Sequence, residues 1–364
     1  MSVNANIDAV GNADPAVVTR LNAVRLLAVL CVGVGYGSTM AIGPGTAEWL
    51  AHLGYDPSWF GLNVLFLLSG FMAWRSVSEG RTGLTYLRSR ARRTLPALAL
   101  YTLAVASVLY PLLCNPERLD ADGIGMLLLY VTKTVTLVSP GGVMPGALDE
   151  QPYMCLLQGT VWTLRWGAVL HLGTLVLHRV TAGRTKHLLI AAAGSVAAYW
   201  VAASLFAGGQ IDALEPVTPA LRFSYPWLLG ASVFALRHRL PRTGAGWGIV
   251  ALLLMGLAGL HHEFAGWSPL IDVLATSSWA SVALALLHTR ARWLRGWPPL
   301  ALPVYLGLWP VAQTLLYLVP TLSVTGLILL TLAVSVGLAA TVYWVSSGVF
   351  RPPAASQLKR PRTA

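Results

Sequence analysis

The sequence predicts an all-α integral membrane protein with ten transmembrane helices and one short re-entrant or interfacial helix. Of the 364 residues, 55% are hydrophobic and only 11% are charged, whereas about 25% of the residues of a soluble globular protein are charged. Apolar runs of the length that crosses a bilayer, about 17 to 25 residues, recur along the chain. Basic residues collect in alternate loops between these runs, which is the pattern of a multi-pass membrane protein.

The long apolar segments are predicted at 21–43, 60–77, 95–114, 161–180, 187–207, 223–236, 246–262, 269–288, 300–319 and 323–349. Basic loops follow the second, fourth, sixth and eighth segments, and a basic tail follows the last. Each pair of segments therefore returns the chain to the same, cytoplasmic side. The connections after the first and third segments carry acidic residues instead, among them Glu48, Asp56, Asp149 and Glu150.

A shorter apolar run at 124–138 is interrupted by Lys133 and is short for a membrane crossing. If it crossed the membrane, Arg179, Arg184 and every later basic loop would lie outside, against the positive-inside rule. We therefore predict that this run lies on the outer face or re-enters there, which leaves both termini in the cytoplasm.

The net charge of +11 is explained by these cytoplasmic loops, so we expect no nucleic-acid partner. The three cysteines, Cys31, Cys114 and Cys155, lack the spacing of a metal site, and only the last two could pair outside the membrane. The N-terminus lacks the basic start and apolar core of a signal peptide. The chain thus divides into a cytoplasmic tail, a membrane domain and a basic cytoplasmic tail, at 1–19, 20–350 and 351–364.

Arg25 and Tyr36 are the strongly polar side chains of the first apolar segment, in the stretch VRLLAVLCVGVGYG. Eleven residues of helix turn through about 1100°, so both side chains lie on one face, about 16 Å apart along the axis. Ionisable residues inside a membrane are functional candidates. The alternatives are an arginine that extends to the membrane interface and a packed or interfacial tyrosine.

Two further motifs follow in the next two segments. In GLNVLFLLSGFMAW, Ser69 and Gly70 are small residues that favour close packing of helices. In YLRSRARRTLPAL, Arg90 and Arg93 belong to a group of four arginines ahead of Pro96, which suits the first turn of a helix. The arginines are suited either to anionic lipid or to the phosphates of a cytoplasmic donor.

The fourth segment begins VWTLRWGAVLHLG and contains Trp162, Arg165 and His171. Gly167 and His171 are four residues apart and so lie on one helix face. A histidine there can act as a base, and the alternative is a histidine that hydrogen-bonds to a neighbouring helix.

In this order, the motifs resemble the acyltransferase-3 family of polytopic bacterial membrane acyltransferases. The family's first helix has the form Asp-Gly-x-Arg-x10-His, and Arg25 stands at its arginine. GLNVLFLLSGF resembles the family's Gly-x-x-x-Phe-Phe-x-x-Ser-Gly-Phe helix, and Arg90 with Arg93 resembles its Arg-x-x-Arg loop. The family's Trp-Thr-Leu-x-x-Glu motif resembles the stretch that holds Trp162 and Arg165. YPWLLGASVFALRHR and LPVYLGLWPVAQTLL are similar to two later helices, so the resemblance spans about residues 20–350.

The departures from the family pattern concern its acids and its histidine. Tyr36 stands at the histidine, Asn22 at the early acid, and Gly167 at the acid of the Trp-Thr-Leu motif. The glutamate at the end of the last helix is also absent, since that stretch reads YWVSSGVFRPP. In the family the histidine is thought to be the general base. Tyrosine, with a pKa near 10, is a poor base but can donate a hydrogen bond to a developing oxyanion.

The resemblance implies a membrane-bound O-acyltransferase of a bacterial-type inner (plasma) membrane. The enzyme would move an acyl group such as acetyl from a cytoplasmic thioester, for example acetyl-CoA, to a hydroxyl of a carbohydrate, glycolipid or small metabolite. Arg25, Arg90 and Arg93 would bind the donor, Tyr36 would occupy the place of the base, and His171 could partly replace it. Acyl-CoA, the acceptor and the lipid bilayer are then the partners, with no bound cofactor and no metal.

Two other functions are compatible with parts of the sequence. A catalytically degenerate member of the same family would bind lipid or glycan, or join a biosynthetic complex. The loss of acids and of the histidine at separate family positions favours this alternative. A channel or secondary transporter is disfavoured, because the chain shows no internal repeat with Gly- or Pro-broken helices.

Overall fold

The computed structural model describes residues 15–43, 57–80, 83–114, 121–141, 144, 146–148, 151–207, 218–241, 243–265, 269–289 and 291–349. Its long helices are Pro15–Ile42 (α1), Pro57–Ser78 (α2), Gly83–Ala104 (α3), Ala121–Val135 (α4), Trp162–Val180 (α5), Thr185–Ala207 (α6), Thr218–Ala235 (α7), Gly244–Ala265 (α8), Pro269–His288 (α9), Ala301–Leu318 (α10) and Val324–Val349 (α11). Most of the predicted tail 1–19, the tail 351–364, and the acidic residues Glu48, Asp56, Asp149 and Glu150 lie outside the described residues.

The prediction of an all-α membrane protein is confirmed, because the regular elements of the described part of the chain are helices. Eight of them are long and apolar enough to cross a bilayer, namely α1, α2, α3, α6, α8, α9, α10 and α11. Helices α5 and α7 form where segments were predicted but fall outside this set, since polar residues such as Arg165 and Arg222 dilute their apolar stretches. The structure therefore indicates a multi-pass membrane protein without establishing the number of ten crossings.

The start of the third helix differs from the prediction. A basic loop was expected to run into a helix that begins near Pro96, but Arg90, Arg93 and Pro96 all lie inside α3, which starts at Gly83. The residue before a proline is disfavoured in helical conformation, which made a boundary at Pro96 the natural expectation. The arginines and leucines ahead of it are good helix formers, and the buried ring of Tyr86 anchors this added part of the helix.

The predicted short helix is present as α4, with 15 residues. One side of it carries the buried side chains of Tyr130 and Thr134, while Ile124, Leu128 and Leu129 are exposed. This separation is that of an amphipathic helix. Its interfacial or re-entrant position stays a prediction.

Helix α2 is the central helix, with most of its side chains buried, and glycines set its distances to its neighbours. A Cβ atom added at Gly70 would overlap the carbonyl oxygen of Trp227 on α7, and one added at Gly230 would overlap that of Leu67 on α2. A Cβ at Gly61 would likewise overlap the backbone of α1. The backbones thus meet directly, which is the arrangement that small residues permit in membrane helices. The packing role predicted for Gly70 agrees with this contact.

Cys31, Cys114 and Cys155 form no disulfide, so the considered pairing of Cys114 with Cys155 is not formed. Cys114 instead makes an isolated antiparallel bridge with Ala147. The backbone N–H of Cys155 donates to the carbonyl oxygen of the same Ala147 at 2.8 Å. The backbone of Ala147 is thus paired with the backbones of both cysteines, although no disulfide joins them.

Candidate functional site

Three arginines on α1 and α3 lie within range of one another's charge. The charge of Arg25 on α1 interacts with those of Arg90 and Arg93 on α3. Arg25 is partly buried, and neither it nor Arg93 makes a hydrogen bond or ion pair with a described residue. The ion pairs in the described part of the chain, Arg75–Glu79 and Arg222–Asp272, engage other arginines. We call Arg25, Arg90 and Arg93 the arginine cluster.

Clustered like charges repel one another, and the repulsion grows as solvent is removed. Such a cluster is stabilised when an anion lies among its members. Guanidinium groups are suited to phosphate, because their N–H groups match its oxygens in pairs. The arginine cluster therefore has the composition of a phosphate-binding site.

A histidine and a tyrosine adjoin this cluster. The Tyr86 hydroxyl is hydrogen-bonded to Nδ1 of His171, which joins α3 to α5. The guanidinium of Arg90 lies 5.2 Å from the centroid of the Tyr86 ring. Arg90 also donates to the Met72 carbonyl oxygen at 3.3 Å. The alternative interpretation of His171, a hydrogen bond between helices, is thus observed.

The His171 ring is held from a second side by Trp227 of α7. The two ring centroids are 4.7 Å apart, with the planes nearly perpendicular. Trp227 is fixed in turn, because its Nε1–H donates to the Thr174 hydroxyl at 2.8 Å. From Trp227, further aromatic contacts run along the bundle to the first turns of α2 and α5, through Phe66, Phe223, Trp59 and Trp162.

Tyr36 belongs to a second group of side chains, further along α1. Its ring contacts the edge of Trp309, with centroids 5.4 Å apart, and its side chain packs against the core cluster that contains Tyr305. The Tyr305 hydroxyl pairs with the Thr163 hydroxyl at 2.6 Å and donates to the Thr160 carbonyl oxygen at 2.8 Å. We call Tyr36, Tyr305 and Thr163 the hydroxyl cluster.

The segment 151–161 covers the hydroxyl cluster and is fixed to one face of α10. Tyr305, Trp309 and Gln313 are spaced by four residues and so lie in one row. Each donates to a carbonyl oxygen of the segment, those of Thr160, Leu156 and Tyr153 respectively, over 2.8 to 2.9 Å. The segment is therefore a built part of the bundle and not a loose surface loop.

The two clusters lie at different depths of the same bundle. Arg25 and Tyr36 are eleven residues apart on α1, which is about 16 Å along the axis. On α5, Thr163 and His171 are separated by about 12 Å in the same way. The arginine cluster and His171 thus occupy one level, and the hydroxyl cluster occupies another.

The remaining predicted site residues take structural positions. Ser69 is partly buried beside Gly70 on α2. Trp162 begins α5 and contacts Trp59 edge-on, with ring centroids 6.4 Å apart. Arg165 is exposed, and its guanidinium lies 5.7 Å from the ring of Trp166. It lies on the outside of the bundle and not within either cluster.

Sequence reasoning missed Tyr86, Tyr305 and Trp227. Tyr86 and Tyr305 are tyrosines in apolar or basic helical stretches, and a buried tyrosine needs a hydrogen-bond partner for its hydroxyl. That need is a signal for a polar site, but the sequence does not say where the partner lies. Both partners are distant in the chain, His171 for Tyr86 and Thr160 for Tyr305.

Comparison of the chain with models of protein families, with curated proteins and with solved structures finds no match. No group of three or more histidine, cysteine, aspartate or glutamate side chains that could hold a metal ion occurs in the part of the chain that the structure describes.

Proposed function

We propose that the chain is a membrane-bound O-acyltransferase with ten transmembrane helices and both termini in the cytoplasm. It transfers an acyl group, such as acetyl, from a cytoplasmic acyl-CoA to a hydroxyl of a carbohydrate, glycolipid or small metabolite. The arginine cluster is the observation that carries this proposal, because arginines of two helices act on one another through their positive charges. The resemblance of the motifs to the acyltransferase-3 family supports the choice of donor.

The spacing of the two clusters supports the division of roles. The phosphates of the donor would bind Arg25, Arg90 and Arg93 at the cytoplasmic end of α1. The pantetheine arm would extend along α1 towards Tyr36, about 16 Å away. The hydroxyl cluster and the segment 151–161 would then surround the thioester and the acceptor.

In the transfer step, the acceptor oxygen attacks the thioester carbonyl carbon. The C–O bond forms, the C–S bond breaks, and the proton of the acceptor hydroxyl passes to the departing thiolate. Negative charge develops on the carbonyl oxygen, and a tyrosine hydroxyl can donate a hydrogen bond to it. We assign this role to Tyr36, because a tyrosine hydroxyl, with a reference pKa near 10, carries its proton at neutral pH and can donate it in a hydrogen bond.

A non-catalytic binding protein with the same fold is the second candidate. The observation that favours it is the position of Tyr36, whose ring packs edge-on against Trp309. A tyrosine packed in this way can stabilise the helix bundle as well as donate a hydrogen bond to a reaction intermediate. The two candidates share the donor site and differ only in whether transfer occurs.

The experiment is acetyl-CoA binding and acetyl transfer by purified protein in lipid nanodiscs, with radiolabelled donor and a panel of hydroxyl acceptors. Arg93→Gln should weaken binding about tenfold or more, since a hydrogen bond to a charged group contributes about 1.5–3 kcal/mol. Arg92→Gln is the matched control, because Arg92 is the adjacent arginine, is exposed like Arg93, and is not among the arginines whose charge acts on Arg25. Binding with transfer supports the enzyme, binding without transfer supports the second candidate, and equal binding by both variants contradicts the donor site.

A further inference from the structure

A groove between α8 and α9 lies at the end of the bundle where α8 begins and α9 ends. It encloses about 700 Å³, which is within the range of about 300–1,000 Å³ of small-molecule sites. Its walls include Gly244, Gly248 and Ala251 of α8, Ala285 and Thr289 of α9, and Trp293 of the segment that follows α9. Leu252 also lines it and is exposed, so the groove opens on the outside of the bundle. We call it the α8–α9 groove.

Small side chains on α8 leave this space open although the two helices touch. A Cβ atom added at Gly244 would lie 3.0 Å from the Ala285 carbonyl oxygen, so the helices are in contact there. At Gly248, one turn further, an added Cβ would have no atom of a described residue within 4 Å outside the adjoining turns of its own helix. Cavities with apolar walls take up apolar ligands rather than water, so the α8–α9 groove is suited to hydrocarbon.

The segment 291–297 forms one wall of the groove, just beyond the apolar span of α9, which runs from Pro269 to His288. Trp293 and Trp297 of this segment are both exposed, and Nε1–H of Trp297 donates to the Trp293 carbonyl oxygen at 2.6 Å. Exposed tryptophans at the end of a span are typical of the level of the lipid headgroups. The groove therefore begins at headgroup level and continues along the apolar parts of α8 and α9.

The same wall carries positive charge at the mouth of the groove. Arg292 lies between Ala291 and Trp293, which both line the groove, and Arg292 and Arg295 are exposed. Neither arginine forms an ion pair with a described residue. The sequence contains no aspartate or glutamate after Asp272, so the segment supplies no counter-charge of its own. An anion at the mouth of the groove would complement this charge.

This wall is fixed to α1 by hydrogen bonds to its backbone. The Asn22 side chain donates to the Trp297 carbonyl oxygen at 3.1 Å. The buried guanidinium of Arg20 donates to the carbonyl oxygens of Leu287 and Thr289, at 3.0 and 2.9 Å. The end of α9 and the basic segment after it are thus built parts of the groove.

We propose that the α8–α9 groove binds one anionic phospholipid. An acyl chain lies in the groove along Gly248 and Ala251, and Arg292 and Arg295 bind the phosphate of the headgroup. Basic pockets between helices at a membrane surface select anionic lipids, and guanidinium groups match phosphate oxygens in pairs. The site is formed by α8, α9 and the segment after α9, so it does not depend on acyl transfer.

The charge of the groove's mouth favours this occupant over a second copy of the chain. A twofold contact brings one surface patch against the same patch of the partner. Packing at the α8–α9 groove would then bring Arg292 and Arg295 close to their own counterparts, and like charges repel. A zwitterionic lipid would fill the groove equally well, but its headgroup would not balance the arginines.

The headgroup is tested by native mass spectrometry of the full chain in detergent, with equal amounts of phosphatidylglycerol and phosphatidylcholine that have the same acyl chains. Wild type should retain phosphatidylglycerol in preference. The double variant Arg292→Gln/Arg295→Gln should lower this preference roughly thirtyfold, since each arginine near a membrane surface contributes about fivefold. Arg179→Gln/Arg184→Gln is the matched control, because both arginines are exposed and neither lines the groove. Equal retention of both lipids by wild type, or an unchanged preference in Arg292→Gln/Arg295→Gln, would overturn the proposal.

The acyl-chain site is tested with two leucine substitutions on α8. Gly248→Leu fills the groove and should abolish the retention of phosphatidylglycerol. Gly256→Leu is the control, because Gly256 also has open space at its Cβ but does not line the groove. Full retention in Gly248→Leu would place the lipid elsewhere and overturn the site. A wild-type dimer that becomes monomeric in Gly248→Leu would assign the groove to a second copy. The arginine variants leave the groove unfilled, so they decide the question even where Gly248→Leu does not fold.

Discussion

Arg222 and Asp272 form an ion pair in the interior of the bundle, with 3.3 Å between Nε and Oδ2. The Tyr199 hydroxyl donates to the same Oδ2 at 2.5 Å, and the Arg222 guanidinium lies 3.3 Å from the centroid of the Trp59 ring. The pair thus joins α2, α6, α7 and α9. Arg222 precedes the predicted apolar segment 223–236, but the structure places it inside α7.

Replacing Asp272 with asparagine should destabilise the protein strongly. The side chain of Asp272 is only 4% exposed, and its neutralisation removes the negative charge that pairs with Arg222. Breaking a buried pair in this way costs about 3–5 kcal/mol. The measurement is thermal unfolding in detergent, followed by the fluorescence of buried tryptophans.

The control for Asp272→Asn is Glu79→Gln. Glu79 pairs with Arg75 at 2.7 Å, but its side chain is 44% exposed, and exposed pairs contribute about 0–1 kcal/mol. If the unfolding temperature falls by the same amount in both variants, burial does not determine how much the Arg222–Asp272 pair stabilises the protein.

The contact between Gly70 and Trp227 predicts opposite effects for two glycine-to-alanine changes. Gly70→Ala should lower the unfolding temperature, because its methyl group would overlap the backbone of α7 and force α2 away. Gly167→Ala should leave stability unchanged or raise it, since outside the adjoining turns of its own helix no atom of a described residue lies within 4 Å of the added Cβ, and alanine is favoured over glycine in helices by about 1 kcal/mol. Equal unfolding temperatures in the two variants would show that the close approach at Gly70 does not limit packing.

The elements of this fold could be predicted from local sequence because lipid imposes a strong local rule. A helix must satisfy its own backbone within the bilayer, so an apolar run of sufficient length implies one. The shared face of Arg25 and Tyr36 could be predicted for the same reason, since it follows from helical geometry alone. The start of α3 could not, because the bias of Pro96 against helix is local and the burial of Tyr86 against another helix outweighs it.

The residues of the candidate site could be predicted from the sequence more readily than the contacts between them. The hydrogen bond from Tyr86 to His171 joins residues that lie far apart in the chain, and no periodicity links them. The row of Tyr305, Trp309 and Gln313 has a visible helical spacing, but its partners are carbonyl oxygens of the segment 151–161. Every residue has a backbone carbonyl acceptor, so the sequence does not show which of them accepts the hydrogen bond.

Trp309→Phe should loosen the segment 151–161 without unfolding the bundle. The substitution keeps an aromatic ring against Tyr36 and removes the Nε1–H that donates to the Leu156 carbonyl oxygen at 2.9 Å. Hydrogen–deuterium exchange should then rise in peptides from this segment and stay constant in α2. Trp344→Phe is the control, because Trp344 is 71% exposed. Unchanged exchange in the segment would mean that its other contacts suffice to hold it.

The decisive substitutions for catalysis are at Tyr36. Tyr36→Phe keeps the ring contact with Trp309 and removes only the hydroxyl. If that hydroxyl donates to the oxyanion of the transfer step, turnover should fall about 10²–10³-fold while the affinity for coenzyme A stays the same, because the arginine cluster is about 16 Å away. Tyr317→Phe, at a tyrosine that is 46% exposed, should change neither quantity.

Tyr36→His introduces an imidazole, whose reference pKa lies near working pH, and should raise turnover, since a general base contributes about 10²–10⁴-fold. A wild-type protein that binds coenzyme A without transfer, together with transfer gained by Tyr36→His, would identify the natural chain as a binding protein. Transfer that is equal in wild type and Tyr36→Phe would remove Tyr36 from the mechanism altogether.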